Sequence, residues 1–173
     1  MKVARRLLFL IVLTGMAISF VSGQTKSDFQ LDIRAFAGKW ALVSTEGTRR
    51  NSIPNFENYS LGISISGNEF KVQRNFSYSG RNFERTELYF TDNRGEVNKV
   101  PKDRSKGFYE TKTKTIWKNG QIISRWSYKV TEGWIDVTNI YRLSPDGKSL
   151  ICESIYKGAY PQETFRLIFQ RVI

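Results

Sequence analysis

Residues 121–143 read QIISRWSYKVTEGWIDVTNIYRL. Ile122, Trp126, Tyr128 and Val130 alternate with polar neighbours, Glu132-Gly133 marks a turn, and Ile135, Val137, Tyr141 and Leu143 then alternate again. A period of two sends successive side chains to opposite faces, the pattern of a half-buried strand and not of a helix. Two such runs about a tight turn make an antiparallel hairpin. The flanks keep the same grammar. Asn119-Gly120, just upstream, is a strong hairpin signal because both residues tolerate positive φ. Ser144-Pro145-Asp146-Gly147, just downstream, places each residue type in a favoured β-turn slot.

Working outward, the alternation predicts further strands at 38–46, 59–66, 69–79, 83–91, 96–100, 108–117, 148–157 and 163–172. Gly67-Asn68, Gly80-Arg81-Asn82 and Asp92-Asn93-Arg94-Gly95 punctuate them. Helical periodicity is confined to residues 29–37, which predict a short N-terminal helix or plug. Residues 51–58, with Pro54 among them, read as an irregular loop that would lie across one mouth of a barrel. The fold class is therefore all-β: an antiparallel up-and-down barrel of about 8–10 strands, since closure removes the edges a meander would expose. An open sandwich is the competing architecture.

The ends and composition set the context. Lys2, Arg5 and Arg6 precede an apolar run at 7–21, and Val21-Ser22-Gly23 offers the small residues of a cleavage site. Residues 1–23 read as a signal peptide cut before Gln24, 24–37 as a lead-in segment, and 38–173 as the barrel domain. The apolar run falls short of the roughly 20 residues that cross a bilayer, with a retained anchor as the alternative. The expected address is secreted or periplasmic. A single cysteine, Cys152, permits no internal disulfide, so the domain rests on packing, as a monomer. Cys152 reads as a small buried hydrophobe, a reactive thiol being the alternative. The chain carries a formal charge of +11, or +8 without the signal segment. Such charge favours anionic partners such as lipid headgroups, an anionic envelope surface or fatty acids, although it also serves plain solubility. Export argues against nucleic acid.

Phe36-Ala37-Gly38-Lys39-Trp40 stands just before the first strand. It resembles the Gly-x-Trp signature of lipocalins and fatty-acid-binding proteins. That resemblance implies that Gly38 lets the backbone pass close beneath the barrel while Trp40 plugs its closed end. It also implies an arginine from near the last strand over the indole, with Arg171 preferred to Arg166. Together with the Thr-Asp-x-x-Gly turn at 91–95 and Leu-Ser-Pro-Asp-Gly-Lys at 143–148, the chain is similar to a group of small secreted bacterial lipocalin-like proteins of the calycin type. The resemblance implies a lipocalin-like barrel, not a known activity. Fatty-acid-binding proteins end on an Arg-x-Tyr that grips the ligand carboxylate. Residues 165–171, FRLIFQR, hold no tyrosine, so that site is not transferred.

Catalysis finds little support. The chain has no histidine, which removes imidazole bases and imidazole metal ligands, and one cysteine cannot cage a metal. No cofactor motif is present. Glu84 and Glu87 sit three apart on a strand and so face opposite sides, while Asp136 reads as a solvated outward acid. A barrel enzyme using a lone acid or tyrosine remains the third reading, behind binding and surface interaction. A binding barrel needs apolar inward faces interrupted by a few orienting polar groups. Arg74 interrupts Phe70, Val72 and Phe76; Arg85 and Glu87 interrupt Phe83 and Tyr89; Ser124 and Asn139 interrupt the next pair of faces. Arg74, Arg85, Trp126, Tyr128 and Tyr141 are the candidate ligand-binding residues for a small, mostly apolar, lipid-like or anionic molecule. An internal Arg–Glu pair is the alternative use of the arginines. A basic outer surface around 99–118, including Lys99, Lys102, Arg104, Lys106, Lys112, Lys114 and Lys118, supports a protein- or envelope-interaction module as the runner-up.

Overall fold

The computed structural model describes residues 32–48, 56, 58–101 and 108–173. The predicted signal segment, its cleavage site, most of the 51–58 loop, and Lys102, Arg104 and Lys106 lie outside the described residues. A 3₁₀ turn, Ile33–Phe36, leads into ten strands: β1 Gly38–Gly47, β2 Asn58–Ser66, β3 Glu69–Tyr78, β4 Arg81–Phe90, β5 Glu96–Pro101, β6 Phe108–Lys118, β7 Gln121–Val130, β8 Gly133–Leu143, β9 Ser149–Gly158 and β10 Glu163–Val172. All pairings are antiparallel, in the order β4-β3-β2-β1-β10-β9-β8-β7-β6-β5. The sheet curls into a nearly closed barrel, so the sandwich alternative falls. Strand limits differ from the alternation by a residue or two, as β4 and β8 begin in their turns.

One end of the barrel is packed solid. Asp32 caps the 3₁₀ turn by accepting from the Arg34 amide, and the turn drives Phe36 into the base. There Phe36 meets Phe70 and Trp117 edge-on, with centroids 6.4 and 5.8 Å away. Trp40, Leu61, Val72, Ile122, Leu150 and Phe169 complete the plug, all essentially without solvent contact. Each such side chain contributes about 1.5–3 kcal/mol by leaving water. The Arg171 guanidinium lies 4.2 Å over the Trp40 ring and donates to the carbonyls of Ala37 and Ala35 at 2.8 and 2.6 Å. Gly38 makes room for it: its φ is +137°, and a Cβ there would stand 2.7 Å from the Arg171 Nη1. Arg166, the other candidate for that role, points outward and bonds Glu153 at 2.7 Å.

The last gap closes without a backbone ladder. β4 and β5 are the two ends of the sheet, yet side chains join them. The Asn98 carboxamide accepts from the Leu88 N–H and donates to the Leu88 carbonyl, both at 2.9 Å, doing what a paired strand would do. Glu96 accepts from the Phe90 N–H at 3.2 Å, and from the Thr113 and Thr115 hydroxyls at 2.6 and 2.7 Å. Buried backbone donors demand partners, and these two side chains supply them.

Candidate functional site

Alternation along β3 and β4 points Arg74, Arg85 and Glu87 into the barrel, and the β3–β4 register sets Arg74 opposite Arg85 and Val72 opposite Glu87. These residues sit above the packed base, in a hydrophilic belt. Ser154, Asn139, Ser124 and Thr115 form one cross-strand row on β9, β8, β7 and β6. Thr111, Thr113, Glu96 and Asn98 carry the belt across β6 and β5 to the seam. Above it, at the other end, stand aromatic rings: Phe56, Tyr59, Phe76 and Phe83 pack in a chain with centroids 4.7–5.6 Å apart.

Belt and rings enclose a cavity of about 310 Å³. Its walls include Arg74, Arg85, Glu87, Tyr89, Tyr141 and Cys152 on the deeper side, with Trp126, Phe165 and the aromatic chain around them. The volume falls at the lower end of small-molecule sites. Four of the five candidate residues thus come together. Tyr128 stands apart: it stacks on Trp126 at 5.4 Å, but it is 36% exposed at the rim and lines a neighbouring recess with Ile135, Tyr156 and Tyr160.

The two arginines differ. Arg74 is fully engaged, Nε donating to Glu87 at 2.7 Å, Nη1 to the Tyr59 hydroxyl at 2.8 Å and Nη2 to the Tyr141 hydroxyl at 2.6 Å. Tyr89 donates a further bond to Glu87 at 2.9 Å. Burial opposes the Arg74 charge, but the oxygens of Tyr141, Tyr59 and Tyr89 outweigh it and hold its pKa well above the usual value. Arg85 pairs with Glu87 through Nη2, while its Nε is buried with no hydrogen-bond partner among the described residues. Burial, then the like charge of Arg74, pulls its pKa down. Two guanidinium groups thus share one carboxylate, so this three-residue cluster is net positive, while Glu153, the other acid on the cavity wall, is paired with Arg166. Burial raises the pKa of Tyr89 and Tyr141, and pushes the Cys152 thiol up to about 12.

Sequence reasoning missed Tyr59 and the partnering of Tyr141 with Arg74, and grouped Asn98 and Thr111 with no site. Inward parity was the available signal for Asn98 and Thr111, though no apolar neighbours announced it. Asp136 is exposed, and accepts a bond from Ser127 at 2.6 Å.

No family model and no curated protein matches the sequence. Solved structures do match the fold. A zebrafish ileal bile acid-binding protein, solved with cholic acid, superposes at TM-score 0.55 and 17% identity, over 80% of this chain and 99% of that one. The fatty-acid-binding protein 1 of Echinococcus granulosus gives 0.53 at 14% identity, over 80% and 98%. Human cRBP IV gives 0.52 at 17% identity, over 79% and 98%. The chain has the lipocalin-like, calycin fold, and the first two neighbours are named for binding small molecules, not for catalysis.

Proposed function

We propose that this lipocalin-like barrel binds a small, mostly apolar anion, with the negative group against Arg85 and the apolar body among the rings of Phe76, Trp126 and Phe165. One observation carries the reading: Arg85 brings a charge into the cavity wall, and its buried Nε has no partner among the described residues. An unpaired buried donor is costly, and an anion would satisfy it while neutralising the surplus charge of the cluster. Neighbours named for bile acid and fatty acid lend support from the fold. The arginines come from β3 and β4, so the head group would sit in this chain's own place.

The test uses 1-anilinonaphthalene-8-sulfonate and its uncharged relative N-phenyl-1-naphthylamine, read by fluorescence on binding. A hydrogen bond to a charged group is worth about 1.5–3 kcal/mol. Arg85→Gln should therefore weaken the sulfonate by about tenfold or more and leave the neutral probe unchanged. Equal affinity of variant and wild type for the sulfonate would sink the assignment.

The same reading takes the chain as an exported monomer whose first 23 residues are removed before Gln24, a point N-terminal sequencing of the mature protein decides. A second reading draws on the outer face of β5–β8. Lys112, Lys114, Arg125 and Lys129 are exposed there without an ion pair among the described residues, beside Val97 and Trp134, which are 57% and 60% exposed. That combination suits an anionic envelope surface, where cations meet headgroups and an indole sits at the interface.

A further inference from the structure

Once Arg85 has taken the anion, the cavity still offers polar groups with nothing to bond. The Asn139 carboxamide oxygen accepts the Ser154 hydroxyl at 2.8 Å, which turns the Asn139 NH2 away from Ser154. That NH2 has no hydrogen-bond partner among the described residues, and Asn139 lines the cavity. Thr111 is also on the wall, and its hydroxyl has no hydrogen-bond partner among the described residues. Asn139 belongs to β8, four strands from the β4 of Arg85 through β5, β6 and β7. In a ten-stranded barrel that places it close to the far side of the cavity.

A plain alkyl acid would cover these groups with methylenes and leave them desolvated and unpaired. A site built this way discriminates strongly for a ligand that carries the missing partner. Depth is limited as well. The floor of the barrel is filled by Phe36, Trp40, Phe70 and Phe169, each buried at 0% exposure, so among the described residues a ligand cannot extend downward past the belt.

We propose that the cavity selects a compact carboxylic acid bearing a hydroxyl or carbonyl oxygen at the end away from its carboxylate, and that the Asn139 NH2 is the donor recognising that oxygen. This rests on the anion reading above, with Arg85 holding the carboxylate. Ser154 is a positioning residue, acting through the carboxamide it orients.

Rigid probes separate the two claims. Displacement of 1-anilinonaphthalene-8-sulfonate from the full barrel is measured for 2-naphthoic acid and for its 5-, 6- and 7-hydroxy derivatives. The best hydroxy acid should bind about tenfold tighter than the parent. Asn139→Leu should abolish that preference by bringing the parent acid up toward the affinity of the hydroxy acid, because the unpaired NH2 that the parent leaves desolvated is gone. Ser154→Ala, a smaller change that keeps the donor, should reduce the preference without removing parent binding. If every hydroxy isomer binds no better than the parent in the wild type, the inference is overturned while the anion site stands. If the preference survives Asn139→Leu, Asn139 is not the recognising group. If neither the sulfonate nor any acid binds the wild type, the cavity reading itself fails and takes this one with it.

Discussion

At the scale of single residues, two arginines opposite each other on adjacent strands divide the work. Arg74 ties Glu87, Tyr59 and Tyr141 into one cluster, so its loss takes the partner from two phenols and leaves the buried Glu87 carboxylate only Arg85 and Tyr89. Removing one partner of a buried pair costs about 3–5 kcal/mol. Arg74→Leu should lower the urea-unfolding free energy by that amount, and Arg85→Gln by less than half as much, because Glu87 keeps Arg74 and Tyr89. Equal losses would mean that both arginines are structural. Parity along β3 and β4 was enough to send both inward and to suggest an internal Arg–Glu pair. It could not assign the partners. Tyr141 lies 67 residues from Arg74 in sequence, and their meeting depends on how the barrel closes, which no local pattern encodes. Tyr128 shows the opposite failure: the right face of β7, but one step too near the rim to reach the cavity.

At the scale of elements, the strands were legible wherever one face is apolar, and the β4–β5 seam was not. On β5 the inward residues are Glu96 and Asn98 while Val97 faces out, the reverse of the usual polarity. On β6 the inward Thr111, Thr113 and Thr115 alternate with outward Lys112 and Lys114, so hydropathy carries almost no signal. The seam inverts the pattern, because Glu96 and Asn98 stand in for a missing ladder and Thr113 and Thr115 hold Glu96 in place. The seam is the weakest join in the wall. Asn98→Leu removes both bonds to Leu88, and native-state hydrogen exchange should then show the Leu88 amide losing protection by at least tenfold. Amides in the middle of the β8–β9 ladder should keep theirs, since local opening is independent of distant pairing. Unchanged protection at Leu88 would show that Asn98 does not hold the seam.

For the whole molecule, the buried phenols and thiol set a limit on the alkaline side. In the fold Cys152 titrates at about 12, and Tyr89 and Tyr141 above their usual range. The unfolded chain ionises these groups from about pH 8.5 for the thiol and about 10 for the phenols. Above those values the unfolded state binds fewer protons than the native one, so the stability these three groups contribute is complete below about pH 8.5 and declines as pH rises toward 12. Urea midpoints taken from pH 8 to 11 should fall, and between 8.5 and 10 they should fall less in Cys152→Ala than in wild type. A flat wild-type profile would contradict the burial of these groups. The seam has a consequence for the order of the chain itself. Read from one sheet edge to the other, the strands run β5 to β10 and then β1 to β4, a circular permutation of their order in the polypeptide. The 3₁₀ turn and the end of β10 already meet at the packed base, where Arg171 bonds the carbonyls of Ala35 and Ala37. A short linker joining Ile173 to Asp32, with new termini opened at Asn93–Arg94, would make covalent order and sheet order coincide.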